Sequence, residues 1–161
     1  MSQGIVLVLD NVRSVENVGS IFRTADAVGV KKIFLLGLTP APLDRFGRVR
    51  QDLHKTALGA EEYVPWQVAR DGKKLLRQLK KDGYFLVALE QTLRAIPYAK
   101  FQVPTGEMPA LIVGNEKEGV EKNLLALADA TIHIPMRGKK ESLNVAVATG
   151  IALYHITQFK D

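Results

Sequence analysis

Apolar positions in this chain gather into short runs, separated by longer segments in which they recur at helical spacing. The runs Ile5 to Leu9, Ile33 to Leu36, Phe85 to Leu89, Leu111 to Val113 and Thr131 to Ile134 read as strands. Each is a short, mostly apolar run, too short for a helix. Between Val15 and Val28, the residues Val18, Phe22, Ala25 and Val28 share one helical face, and Gly29 supplies a stop. Asp71 to Lys81 is the clearest amphipathic helix. Leu75, Leu76 and Leu79 form its stripe, Lys73, Lys74, Arg77, Lys80 and Lys81 its wet face, and Gly83 its end. Glu121 to Ala128 reads as another short helix. Strands alternating with helices predict an α/β domain built on a parallel sheet with crossover helices.

The last of these patterns is the most informative. After the run ending at Ile134-Pro135, Arg137, Lys139 and Lys140 surround a glycine, and Ser142 and Asn144 then open a segment with no further charge until Lys160. Ser and Asn accept hydrogen bonds from the unpaired N–H groups of a helix start, and a helix apolar all round is expected to be buried. A loop between a strand end and such a helix is where open α/β sheets bind ligands. Two stretches interrupt the alternation. Gly37 to Arg50 holds Pro40, Pro42, Gly47 and three arginines, and Ala95 to Pro109 holds three prolines. Loops of the first kind are usually functional or disordered.

Composition narrows the classes. At 161 residues and 47% hydrophobic content the chain fills one domain. The absence of cysteine excludes disulfides, thiolate metal sites and cysteine nucleophiles, and His54, His133 and His155 are too scattered to suggest a metal. A net charge of +5 favours a polyanionic partner without requiring one. The first ten residues show no basic leader or cleavage site, and the uncharged C-terminal segment carries too many polar residues for a membrane span. A cytoplasmic protein is expected.

Three constellations could carry chemistry. The first, Asn11 to Asp26, follows the first strand. Asn17 and Arg23 lie roughly 240° apart on an ideal helical wheel, which reads as Asn17 capping the helix and Arg23 pointing into a site. An N-cap followed by a surface arginine is the better reading of this segment taken alone. The second is Gly114-Asn-Glu116-Lys-Glu-Gly119, a polar turn after a buried strand. It is neither a P-loop nor a dinucleotide fingerprint, but its glycines allow a ligand close to the backbone. The third is the 134–144 loop. Each, taken singly, also reads as a plain turn or cap.

Together the three resemble a family. Asn17-Val-Gly-Ser-Ile-Phe-Arg23-Thr-Ala, Val113-Gly-Asn-Glu116-Lys-Glu-Gly119-Val, and Ile134-Pro-Met with Ser142-Leu-Asn144-Val match, in order, the SpoU-type, TrmH-like RNA ribose 2′-O-methyltransferases of the SPOUT superfamily. Lys55-Thr-Ala-Leu-Gly-Ala-Glu is similar to the family's connecting segment, and the resemblance spans essentially the whole chain.

The resemblance implies a single domain with a C-terminal trefoil knot, contrary to the general rule against threaded chains. It implies S-adenosylmethionine as cofactor, bound by Leu89, Gly114, Asn115, Glu116, Gly119, Ile134, Met136, Ser142 and Leu143. It implies methyl transfer to a ribose 2′-hydroxyl of tRNA or rRNA. Arg23 stands nearest the chemistry, with Asn17, Glu116, Ser142 and Asn144 positioning it, the substrate or the cofactor. A guanidinium gives up its proton with difficulty and makes a poor base, so Arg23 is expected either as the base that takes the hydroxyl proton or as a clamp on the adjacent phosphate. Arg45, Arg48, Arg50, Lys55, Arg137 and Lys139, with Lys140, are the expected phosphate contacts. The family resemblance also implies a homodimer, with Arg23 acting within its own subunit or across the interface. Many TrmH-like proteins carry added segments beyond this core, so either the core alone grips its RNA or an accessory protein helps. The alternatives are a knotted RNA-binding module without catalysis, a base methyltransferase of another SPOUT branch, and a flavodoxin-like nucleotide-binding protein.

Overall fold

The computed structural model describes residues 4–158, so the first residues of the leader reading lie outside the described residues. Seven strands, β1 (Val6–Asp10), β2 (Lys32–Leu36), β3 (Trp66–Ala69), β4 (Tyr84–Leu89), β5 (Ile96–Pro97), β6 (Met108–Gly114) and β7 (Ala130–His133), form one sheet in the order β3-β2-β1-β6-β4-β7-β5. Every pairing is parallel. β1 lies between β2 and β6 with all five residues buried, which is why it reads as an unbroken apolar run and not an alternating one.

Its two faces feed two cores. Ile5, Leu7 and Leu9 pack with residues of α1 (Val15–Val28), α2 (Gln51–Ala57), α3 (Ala60–Tyr63) and α6 (Val145–Ile156). Val6 and Val8 pack with Leu76 and Leu79 of α4 (Gly72–Lys81) and Leu124 of α5 (Lys122–Leu125). Helices therefore cover both faces of the sheet, as the alternation predicts. No described helix is long and apolar enough to cross a membrane.

The helix ends refine the sequence reading. Ser14, not Asn17, caps α1: its hydroxyl accepts from Asn17 N–H at 3.2 Å. This places Asn17 in the first turn with its amide free for other partners. Gly29 closes the helix in the left-handed region at φ 82°. α5 is shorter than the span 121–128, because Leu127 and Ala128 donate to Leu124 and Leu125 in tighter three-residue steps. Asn144 alone caps α6, accepting from the N–H groups of Ala146 and Val147 at 2.8 and 3.3 Å, and Ser142 stays in the preceding loop. Nor is α6 buried all round. Val145, Thr149, Ala152 and Leu153 face the core, whereas Val147 is 53% and Tyr154 50% exposed.

Candidate active site

Because every strand is parallel, the carboxyl ends of β1, β4, β6 and β7 open onto one edge of the sheet. A cavity of about 380 Å³ lies there, within the range of roughly 300–1,000 Å³ usual for small-molecule sites. Three loops wall it: Leu89 to Gln91 after β4, Val113 to Gly119 after β6, and His133 to Leu143 after β7, with Val145 and Ala148 of α6 behind. All nine positions named as cofactor-binding from the sequence line this cavity. Glu90, Gln91, Glu118 and Glu141 also line it and are not among the residues expected from the sequence. Glu90 and Gln91 carried a usable signal as the first polar residues after an apolar run.

The walls depend on glycine at two points. A Cβ on Gly114 would lie 2.2 Å from the backbone nitrogen of Val120. Gly119 holds φ +73°, and a Cβ there would lie 2.1 Å from Glu90 Oε2. Asn115 and Gly119 exchange backbone hydrogen bonds, closing the turn, while Asn115 Oδ1 accepts from the N–H groups of Lys117 and Glu118. Glu90 joins two walls: one carboxylate oxygen accepts from Val120 N–H at 2.9 Å, the other from Gln91 N–H at 3.0 Å. Gln91 Nε2 in turn donates to the carbonyl of Glu141 at 3.2 Å. Below the cavity, burial pushes the Asp10 carboxyl above its ordinary value, against the N–H of Glu121 that it accepts at 2.8 Å.

A chain of side-chain amides runs along the rim. Asn144 Nδ2 donates to Asn17 Oδ1 at 3.1 Å, and Asn17 Nδ2 donates to Glu116 Oε1, also at 3.1 Å. Each amide has a defined sense, because Asn144 Oδ1 is already committed to the α6 N-terminus and a carboxylate only accepts. Three of the five residues named as catalytic are thus in direct contact, and Ser142 lines the cavity beside them. Arg23 is not with them. It is exposed on α1 and is absent from the cavity wall. Its neighbour Thr24 packs toward α6, where a Cβ on Gly150 would meet Thr24 Cγ2 at 3.5 Å. α1, which carries Arg23, thus packs against α6, the helix whose Val147 and Tyr154 are uncovered.

The basic residues divide. Arg48 pairs with Asp44 at 3.1 Å and Arg50 with Asp52 at 2.8 Å. Among the described residues Arg45, Lys55, Arg137 and Lys139 have no carboxylate partner and are exposed.

Residues 4–154 match the SpoU rRNA Methylase family. The chain belongs to that family. It is 34% identical over 151 residues to the 23S rRNA (guanosine-2′-O-)-methyltransferase RlmB of Ralstonia nicotianae, covering 93% of this chain and 57% of that protein. The AdoMet-bound rRNA methyltransferase of Sinorhizobium meliloti superposes with a TM-score of 0.84 at 30% identity, covering 94% of this chain and 55% of that one. A structure described by the 2-OH methylation of C/U34 on tRNA gives a TM-score of 0.77 at 26% identity and covers 95% of this chain and 94% of that chain. The chain thus spans little more than half the length of the RlmB protein it matches.

Proposed function

We propose that this SpoU-family chain transfers a methyl group from S-adenosylmethionine to a ribose 2′-hydroxyl of ribosomal or transfer RNA. The observation that carries the reading is the convergence of the three strand-end loops on one cavity, with the Asn144–Asn17–Glu116 chain at its rim. The walls fit the cofactor. Leu89, Val113, Ile134 and Leu143 offer apolar surface, and Glu90, Glu116, Glu118 and Glu141 outnumber Lys117, so the cavity favours a cationic ligand. The cofactor supplies an electrophilic methyl group on a positively charged sulfur. This chain's residues have two tasks: aligning the hydroxyl in line with that methyl and accepting the charge and proton it gives up.

Glu116 reaches the cavity and is held by Asn17, which Asn144 holds in turn, so substrate and cofactor meet a rim of fixed orientation. Ser142, in the same wall, is placed to hold the ribose or the cofactor tail. Arg23 fits best as a residue acting across a homodimer formed through the uncovered face of α6, because it is exposed on the helix that packs against α6 and does not line its own cavity. Its role there is to clamp the phosphate next to the target ribose or to take the proton. The reading includes the C-terminal knot that the family resemblance implies, with the 89–91 and 134–143 loops, joined by Gln91 and Glu141, beside the cofactor. A cytoplasmic location goes with this reading of an RNA substrate. Both rRNA and tRNA stay within the proposal, since the similar proteins act on one or the other by name.

The test is incorporation of labelled methyl groups from S-adenosylmethionine into RNA. Label that survives as nuclease-resistant dinucleotides marks ribose methylation, and its loss in Arg23→Ala ties it to this site. Label confined to bases, or none with any RNA, would overturn the reading.

A further inference from the structure

The loop between β2 and α2 carries an arrangement that methyl transfer does not use. Phe46 sits at its tip with 65% of its surface exposed, and two guanidinium groups lie against its ring, Arg45 at 4.8 Å and Arg48 at 4.9 Å from the ring centre. A single exposed apolar side chain is ordinary. This one is held in place. Asp44 Oδ1 accepts from the N–H groups of Phe46 and Arg48 at 2.8 and 2.9 Å, and Asp44 Oδ2 pairs with the Arg48 guanidinium. Gly47 closes the turn at φ +75°, its N–H donating to the Asp44 carbonyl, and Leu43 and Val49 bridge the two arms.

The base of the loop is tied to the cavity turn. Asn11, itself at φ +54°, accepts from Leu38 N–H through Oδ1 at 2.8 Å, and its carbonyl accepts from Asn115 Nδ2 at 2.9 Å. Thr39, buried at the loop's start, bonds Val12 N–H and the carbonyls of Leu9 and Leu36. The tip is thereby a fixed extension of the edge on which the cavity opens.

We propose that Phe46 and its flanking arginines form a stacking platform for an unpaired nucleobase of the RNA that the cavity serves, a contact beyond the phosphate binding expected of the arginines alone. This rests on the reading of the chain as an RNA methyltransferase. An aromatic face and guanidinium planes are the surfaces on which splayed-out bases stack. The arginines divide the work. Arg48 is anchored by Asp44, so its plane stays beside the ring, whereas Arg45 has no carboxylate partner among the described residues and is available to the phosphate of the stacked nucleotide. A duplex offers no free base face, so the platform selects single-stranded or looped RNA.

The test uses the whole chain without cofactor, a fluorescently labelled single-stranded oligoadenylate and a duplex of the same length, and binding titrations over a range of salt. Phe46→Ala is expected to weaken single-strand binding about tenfold, the scale of one base–aromatic stack, and to leave duplex binding and the salt slope unchanged. Phe46→Trp is expected to restore it. Arg45→Ala is expected to flatten the salt slope by about 0.7, the share of one phosphate contact on a single strand. Since Phe46 is exposed, unchanged thermal melting of Phe46→Ala checks the fold. Equal single-strand affinities for wild type and Phe46→Ala, or no binding of single-stranded RNA by wild type, would overturn the proposal and leave the patch to a protein partner. Methyl transfer that fails while this binding difference persists counts against the catalytic reading and not against the platform.

Discussion

Asn144 and Asn17, separated by 127 positions in the chain, are joined by a single hydrogen bond of 3.1 Å between their side-chain amides. The bond depends on the cap of α6: Asn144 Oδ1 is occupied by Ala146 and Val147 N–H, so only its Nδ2 is left to donate. One side chain therefore starts the last helix and orients the Asn17–Glu116 pair at the cavity rim.

These two roles can be separated. Asn144→Asp keeps a capping oxygen but loses the donor, and places a carboxylate against Asn17 Oδ1. Asn144→Ala loses both. Thermal stability is expected to fall by about 1 kcal/mol in the alanine variant and much less in the aspartate variant, while methyl transfer falls in both. An aspartate variant with wild-type activity would show that the rim bond is only structural.

Gly119 gives a second test. At φ +73° an alanine is strained, and its Cβ would press on Glu90 Oε2. Gly119→Ala is expected to cost about 1–2 kcal/mol from the backbone alone, plus the clash, and to weaken cofactor binding measured by calorimetry. Adding Glu90→Ala removes the clash but not the backbone strain, so the double variant should lose less than the sum of the two single variants. Gly114→Ala has no such relief, since the obstruction is the Val120 backbone. Equal binding by wild type and Gly119→Ala would remove this turn from the cavity's working wall.

A third prediction concerns pH. His54 Nδ1 contacts the Glu61 carboxylate, which is only 5% exposed and whose second oxygen has no partner among the described residues. The hydrogen bond and charge of Glu61, with Glu62 adding to them, raise the imidazole above its ordinary 6.5. A raised folded-state pKa means that the stability gained is complete below 6.5 and is lost as pH climbs through the folded value. Denaturation midpoints should therefore decline across that window in wild type and less in His54→Ala. Parallel curves for the two proteins would sink the assignment.

The strands legible in the sequence were those inside the sheet. β1, β2, β4, β6 and β7 lie between neighbours, and their apolar runs show it. The structure adds β3 and β5, both at sheet edges. Trp66 to Ala69 exposes Gln67 and Val68, and β5 has only two residues, so neither leaves a run to read. α2 buries only Leu53 and Ala57 in seven residues, too few for a period. At the site, the loops were legible because a polar turn after a buried strand is a local pattern. The contact of Asn17 with Glu116 and Asn144 was not, since only the folded sheet brings β1 and β6 side by side. The exposed half of α6 was hidden by composition: an all-apolar helix does not say whether its second face meets its own core or another chain.

That uncovered face leads to the last prediction. If Arg23 works across a dimer built on α6, Val147→Glu should dissociate the dimer in sedimentation measurements and abolish methyl transfer, although Val147 does not line the cavity. Arg23→Ala should leave cofactor binding intact for the same reason while removing transfer. Asn17→Ala should also remove transfer, through the Glu116 rim. Mixing the two inactive variants under conditions that exchange subunits then decides the geometry. A heterodimer contains one subunit with Arg23 intact and one with Asn17 intact. When the arginine reaches the partner's cavity, one of its two sites holds both residues and activity returns. When it serves its own cavity, each site lacks one residue and the mixture stays inactive.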